Sequence, residues 1–267
     1  MMRKIFLLCA ALVCASLFVV GCGKCNAKKA SGQAFTLRVG FDADFPPYGF
    51  RNEDGELVGF DLDLAKEVCR RLGWNIELKP IDWDAKDAEL DAGTINCIWN
   101  GFTINGRESM YTWTCAYVDN TLVYMVKGDS AIQTTADLAG KVVEVQADSS
   151  GLAAISKDEM KDLKASFGKL ITVPNYNNAS MELESGTCDA VIVDVAVADD
   201  IIRRAKAGTF RKLDEALSTE QYGVGFKLGD IGTRDQVEIT LRAMAADGTF
   251  RQISEKWFDG KDVCAIK

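Results

Sequence analysis

The residue types with the widest use in catalysis set narrow limits on what this chain does. It contains no histidine, which removes the commonest general base and the commonest transition-metal ligand. Among nine cysteines, Cys22 and Cys25 have the C-x-x-C spacing of metal and redox motifs, but no strand or helix pattern surrounds them. We therefore predict no catalytic residue, no bound metal and no cofactor.

One carboxylate stands where open α/β sheets bind their ligands. Asp194 directly follows the apolar run Ala190–Val193, which has the composition of a buried strand. Ligands of such sheets lie at the carboxyl ends of the parallel strands. The alternative is that Asp194 caps the following helix, a role that aspartate fills well.

The elements that must position these groups alternate along the chain. Short runs rich in Val and Ile are followed by segments with a helical period, and this order predicts an α/β protein with parallel sheets. Strands are predicted at 37–41, 76–78, 97–99, 122–126, 142–145, 171–173 and 190–193. Helices are predicted at 64–72, 85–92, 135–139, 152–163, 179–185, 196–207 and 237–245, with a last one through Ile253 and Trp257.

The first 21 residues have the organisation of an export signal. Arg3 and Lys4 precede an apolar run, 5–20, that is shorter than the roughly 20 residues a spanning helix needs. The run leads into Gly21 and Cys22 and resembles a bacterial lipoprotein signal, which implies that Cys22 becomes the lipidated first residue and 22–34 a polar tether. The alternative is an uncleaved N-terminal anchor. We expect an extracytoplasmic protein attached to the bacterial cell membrane by lipid.

The charge of the chain bears on its partners. The formal net charge is −8, and no long basic run is present. An acidic chain of this kind is a poor partner for the phosphate backbone, so we expect no nucleic acid to bind.

One segment identifies a family. Residues 59–72, GFDLDLAKEVCRRL, resemble the signature of the bacterial extracellular solute-binding proteins of family 3, the polar amino-acid receptors of ABC importers. Further segments agree in the same order, and the resemblance covers nearly the whole chain after the tether: FDADFPPYGF, NCIWNGFTINGR, VQADSS, MELESGTCDAVIVD and ISEKWF.

The resemblance implies a two-lobe α/β fold of the periplasmic-binding-protein-like type II class, with a ligand cleft between the lobes. Lobe 1 is then 35–125 together with 222–267, and lobe 2 is 126–221. The chain crosses between them twice, near 124–127 and 219–223. Closure about such a hinge is the motion of this class, and we expect a monomer.

The resemblance also implies a set of ligand-binding residues. A free amino acid needs a cation for its carboxylate and an acid for its ammonium group, and these roles fall to Arg107, whose planar guanidinium meets both carboxylate oxygens, and to Asp194. The stretch between Ile104 and Arg107 is one residue shorter than the commonest family pattern. Asn100, Gly101 and Thr103 match positions that donate to the ligand carboxylate, and Ser149 and Ser150 match hydroxyl positions near the ammonium group. Phe45 and Trp83 match the two aromatic walls of the cleft. Asp42 matches an acid that lines the cleft and does not fix specificity.

Several ordinary roles remain open for these residues. Arg107 can be a surface arginine, the aromatic pair can be plain core, and 100–103 can be a simple exit from a strand. At the level of function, the resemblance implies an ABC-importer receptor that carries a free, polar or cationic L-amino acid to a membrane permease. The alternatives are a carboxylic-acid dehydratase on the same fold and an amino-acid-sensing domain, which would continue into a spanning helix that we do not expect here.

Overall fold

The computed structural model describes residues 34–267. The predicted signal segment, Cys22 and nearly all of the tether lie outside the described residues. The strands are β1 (Thr36–Phe41), β2 (Asp44–Phe45), β3 (Gly49–Arg51), β4 (Leu57–Val58), β5 (Asn75–Pro80), β6 (Cys97–Ile98), β7 (Thr112–Trp113), β8 (Val118–Lys127), β9 (Val142–Gln146), β10 (Lys169–Val173), β11 (Ala190–Asp194), β12 (Phe210–Tyr222) and β13 (Gly225–Phe226).

Eight α-helices accompany these strands within residues 34–267. They are α1 (Phe60–Leu72), α2 (Lys86–Ala92), α3 (Ser150–Ile155), α4 (Lys161–Ser166), α5 (Tyr176–Ser185), α6 (Val195–Arg204), α7 (Ile231–Ala246) and α8 (Thr249–Trp257). The predicted helix 152–163 is divided, because Lys157 has an extended backbone between α3 and the next turn. None of the described helices is both long enough and apolar enough to cross a bilayer.

Two five-stranded sheets organise the described chain. The first has the order β5-β1-β6-β13-β7, and the second has the order β10-β9-β11-β8-β12. The predicted parallel pairing is confirmed for β1 with β5 and β6, and for β9 with β10 and β11. It is wrong for β8, which runs antiparallel to β11. The strands β12 and β13, for which no pairing was predicted, are also antiparallel to their neighbours, so both sheets are mixed.

The helix α1 shows why the signature segment folds as predicted. Gly59 has φ 140°, and a Cβ there would lie 2.3 Å from the carbonyl oxygen of Tyr48, so only glycine fits the turn that precedes the helix. The residues Leu64, Ala65, Val68 and Cys69 repeat at helical spacing and are all buried. This stripe places α1 against the first sheet.

The strand ends lead directly to one region of the molecule. Asp42 follows β1, and Asn100 follows β6 in the first sheet, while Gln146 ends β9 and Asp194 ends β11 in the second. Parallel strands present their carboxyl ends at the same edge of a sheet. Polar residues of both sheets therefore meet at those ends.

Candidate ligand-binding site

A cavity with about 300 Å³ of empty space lies at these strand ends. All ten residues that the sequence analysis assigned to ligand binding line it, and two further residues, Gln146 and Tyr176, complete the wall. The assigned residues are Asp42, Phe45, Trp83, Asn100, Gly101, Thr103, Arg107, Ser149, Ser150 and Asp194. The structure therefore brings together residues that lie up to 152 positions apart in the chain.

Arg107 supplies the positive charge of the cavity. Its guanidinium donates to two carbonyl oxygens, that of Asp148 at 3.1 Å and that of Thr103 at 3.4 Å, and its Cζ lies 5.2 Å from the centroid of the Phe102 ring. No carboxylate of residues 34–267 pairs with it. An arginine held by carbonyls and an aromatic ring keeps its planar donor face available for an anion.

Asp194 lies at a different part of the wall and is 4% exposed. Its Oδ1 accepts hydrogen bonds from Asn120 Nδ2 at 2.7 Å and from the hydroxyl of Tyr222. It occupies the N-cap position of α6 but makes no side-chain cap hydrogen bond there, so the capping alternative is wrong. Burial, and then the negative charge of Glu220, raise the pKa of this carboxyl.

Gly101 lines the cavity through close packing. It has φ 54°, and a Cβ would lie 3.0 Å from Phe45 Cε1 and 3.1 Å from Tyr222 Cε2. Its N–H donates to Asp61 Oδ2 at 2.6 Å, and the hydroxyl of Tyr117 donates to Asp61 Oδ1 at 2.9 Å. The amide that the family resemblance offered to a ligand is thus occupied here, and Asp61 fixes the loop to the start of α1.

The neighbouring polar positions are also engaged inside the protein. Asn100 Oδ1 accepts from the N–H of Asp42 at 2.9 Å, and the Thr103 hydroxyl donates to Glu220 Oε1 at 2.8 Å. The Ser149 hydroxyl caps α3 by accepting from Leu152 N at 3.1 Å. Any ligand contact of Thr103 or Ser149 must therefore share or replace an existing hydrogen bond.

The aromatic walls come from separate elements. Phe45 and Trp83 are 6% and 9% exposed, and Phe45 lies 5.9 Å from Tyr176 between ring centroids. Trp83 packs edge-on against Phe102 at 5.5 Å. Their faces give the cavity flat apolar surfaces beside its charged groups.

An ion pair and several amides join the two sets of strand ends across the cavity. Lys86, only 1% exposed, pairs with Asp148, and Gln146 Nε2 donates to Asp42 Oδ2 at 2.7 Å. Asn177 Nδ2 donates to Asp44 Oδ1 at 2.7 Å. Through these contacts, the side of the cavity formed by the first sheet and the side formed by the second sheet touch each other directly.

Comparisons with known proteins agree with this geometry. The family model of the bacterial extracellular solute-binding proteins, family 3, matches residues 37–260. This chain belongs to that family. The L-cystine-binding protein TcyJ of Escherichia coli (strain K12) is 31% identical over 85% of this chain and 84% of its own length.

Solved structures of relatives show the same architecture. A substrate-binding protein of an ABC uptake transporter from Streptococcus pneumoniae, with bound histidine, superposes with a TM-score of 0.82 at 32% identity, over 86% of this chain and 94% of the other. An ancestral arginine-binding protein bound to glutamine gives 0.77 at 35% identity, over 85% and 99%. The predicted two-lobe α/β fold of the periplasmic-binding-protein-like type II class is confirmed, and at the level of the family the chain is a solute-binding protein and not an enzyme.

Three residues of this family member's site escaped the sequence analysis. Gln146 and Tyr176 line the cavity, and Glu220 holds two of its hydroxyls, those of Thr103 and Ser150. Gln146 ends a predicted strand, as Asp194 does, so its position at a strand end was a usable signal. Tyr176 gave no such signal, because it begins a helix. Glu220 lies in the predicted crossing 219–223, but nothing in that segment marked its side chain as part of the site.

The buried acids predict an unusual pH dependence of stability. Burial raises the pKa of Asp42 to about 6 and that of Asp61 to about 7, and it also raises the pKa of Asp194 and of Glu144, whose carboxyl oxygens have no partner. At pH values between the pKa of a buried acid in the unfolded chain and its pKa in the native protein, the native state binds more protons than the unfolded state. The free energy of unfolding therefore falls as pH rises through this range. We expect urea denaturation of the ligand-free protein to show a free energy of unfolding lower by at least about 2 kcal/mol at pH 7 than at pH 5.

A variant separates this effect from the cavity. Glu144→Gln removes one buried acid of β9 that does not line the cavity, and it should flatten the pH profile. A free energy of unfolding that increases from pH 5 to pH 7 in the wild type would contradict the prediction.

Proposed function

We propose that this protein is the extracytoplasmic substrate-binding lipoprotein of an ABC importer and that it binds a free L-amino acid. One observation carries the proposal: a single cavity presents an arginine without a carboxylate partner and, separately, a buried carboxylate without a cation, among the described residues. These are the complements of an amino acid's carboxylate and ammonium group. The relatives named above bind cystine, histidine and glutamine according to their descriptions, which supports the same class of ligand here.

The remaining wall suggests a polar or cationic ligand side chain. Asp42 is a third acid on the cavity, and Phe45 and Trp83 offer apolar surfaces along which an aliphatic stem can lie. A side chain with a nitrogen donor at its end satisfies both features. Asp42 already accepts from Gln146, so this interaction requires the amide to share the carboxylate.

We further propose that binding occurs by closure of two lobes, 35–125 with 222–267 and 126–221. The antiparallel pairing of β8 with β12, from Val118 with Tyr222 to Leu122 with Ser218, supports a hinge where 118–122 and 218–222 run side by side, which is a few residues before the crossing predicted near 124–127. Lys86–Asp148 and Gln146–Asp42 are contacts between the two proposed lobes and stabilise the closed arrangement. Cys22 then carries the lipid, the monomer stays at the membrane surface, and the permease receives the amino acid from the closed form.

A ligand screen tests this proposal. The protein, expressed from its full sequence and purified in detergent, is washed in denaturant, refolded and screened against the twenty amino acids and cystine by thermal shift. A ligand that binds only the native state adds about 2.7 kcal/mol at a hundredfold excess over Kd. Stabilisation by one or a few L-amino acids is the expected result. Stabilisation only by carboxylates without an amine, or their chemical conversion, would contradict it and favour the dehydratase.

A further inference from the structure

Glu220 lies behind the cavity and connects three elements. Its Oε1 accepts from Thr103 Oγ1 at 2.8 Å, from Asn120 Nδ2 at 2.9 Å and from Ser150 Oγ at 3.1 Å. The side chain is 6% exposed, so the hydrogen bonds replace water almost completely. Two of its three donors, Thr103 and Ser150, line the cavity itself.

The same amide group of Asn120 joins Glu220 to Asp194. Asn120 Nδ2 donates to Glu220 Oε1 and, at 2.7 Å, to Asp194 Oδ1. Two buried carboxyl groups thus meet on one nitrogen atom. The other donor to Asp194 is the hydroxyl of Tyr222, which is neutral.

No positive charge of the described residues balances this pair. The titratable groups near Asp194 are Glu220 and the phenols of three tyrosines, Tyr48, Tyr176 and Tyr222. The pKa of each phenol is raised by burial and then by the charge of Asp194. Arg107 is the one cation of residues 34–267 on the cavity wall, and its guanidinium is held by Thr103 and Asp148. Two like charges at such short range in a dry site are strongly unfavourable, and burial together with the charge of Glu220 raises the pKa of Asp194.

We propose that Glu220 is a second carboxylate for the amine of the ligand, acting together with Asp194, and that the incoming ammonium group displaces a proton held by this pair. The inference deepens the proposed function and rests on it. The proton leaves the carboxyl pair for solvent, and the ammonium group takes over the neutralisation of the two negative charges. Glu220 acts as a positioning residue, because it holds Thr103 and Ser150 while contributing its charge.

This arrangement makes amino-acid binding proton-linked. At low pH the ammonium group of the ligand must compete with a proton for the two carboxyl groups. At higher pH the proton is lost, and the full negative charge of both carboxylates is available to the ammonium group. Affinity should therefore increase with pH through neutrality, until the amine of the ligand itself loses its proton. Without the charge of Glu220, burial alone would still raise the pKa of Asp194, but by less, so the change of affinity should be smaller and should lie at lower pH.

The test is calorimetry on the refolded full chain at pH 5.5 to 8.5, in buffers of different protonation enthalpy. The probe is L-arginine, or the amino acid with the largest thermal shift if this is another. For the wild type we expect about tenfold tighter binding at pH 8 than at pH 6 and release of protons near neutral pH. Glu220→Gln keeps an oxygen that accepts the same hydrogen bonds but carries no charge, and we expect a smaller change of affinity between pH 6 and pH 8, with proton release moved to lower pH; the same pH profile as the wild type would count against a role for the Glu220 charge.

Two further variants complete the design. Glu215→Gln alters an exposed acid of the same strand and should behave like the wild type. Glu220→Asp keeps the charge and should keep proton release, and it serves as the informative variant if Glu220→Gln does not fold. A wild type that binds an amino acid without proton release would overturn this inference and leave the proposed function standing. A protein that binds no amino acid at all would instead refute the proposed function.

Discussion

Arg107→Ala is expected to weaken amino-acid binding by at least about a hundredfold, because loss of one partner of a buried, hydrogen-bonded charge pair costs about 2–5 kcal/mol. Among the described residues the guanidinium contacts only carbonyl oxygens and the Phe102 ring, so its removal leaves no buried acid unpaired. We therefore expect the melting temperature of the ligand-free variant to stay close to that of the wild type. Titration calorimetry with the amino acid identified in the screen measures the effect.

Two controls make this result specific. Arg107→Lys keeps the charge but loses the planar pair of donors, and it should retain part of the affinity. Arg251→Ala removes an exposed arginine that pairs with Asp262 and should bind like the wild type. Binding by Arg107→Ala within threefold of the wild type would show that the carboxylate lies elsewhere.

Asp194→Asn is expected to weaken binding at pH 8 by about a hundredfold or more while making the ligand-free protein at least as stable as the wild type at that pH. The change removes the negative charge that faces the ammonium group, and the lost attraction is large in a site that is 4% exposed. The same change relieves the repulsion between Asp194 and Glu220, which adds to burial in raising the pKa of Asp194. Opposite effects on binding and on stability indicate a residue kept for ligand binding.

A matched acid separates the two effects. Asp200, in α6, is 6% exposed and pairs with Arg203 and Arg204. Asp200→Asn should lower the free energy of unfolding, because it leaves two arginines without their partner, while the Kd for the amino acid changes little. Equal binding by Asp194→Asn and the wild type, measured by calorimetry at pH 8, would refute the assignment of the ammonium group.

Periodicity predicted most of the elements because most are buried on one face. It missed β12, whose thirteen residues alternate irregularly between buried and exposed positions and shift register against β8. It also could not give strand direction, since an apolar strand pairs equally well with a parallel or an antiparallel neighbour. That is why β8 was placed in a parallel sheet.

The residues of the candidate site could be predicted from the sequence wherever they lie in a segment that resembles the family and have a side chain suited to binding an amino acid. The sequence could not show which donors are already used inside the protein. The amide of Gly101 is taken by Asp61, and the hydroxyl of Thr103 is taken by Glu220, although 40 and 117 positions separate the partners. Contacts at such separations follow from the packing of the two sheets and not from local sequence.

The order of strands in the first sheet determines how much of the chain must be present before that sheet can form. Strand β13 lies between β6 and β7, and α1 packs against α7 and α8, so the start of the described chain depends on residues 225–267. All five strands of the second sheet precede β13 in the chain. During synthesis, or during threading through an export channel, the second sheet thus has all five of its strands before the first sheet does, because the first sheet lacks β13 until the C-terminal part of the chain has emerged. In refolding of the whole chain we expect the same order, because the pair of β6 with β13 joins residues farther apart in the chain than any strand pair of the second sheet. Pulsed hydrogen exchange during refolding should show amides of β8 to β12 protected before those of β1 and β6, and the reverse order would contradict this expectation.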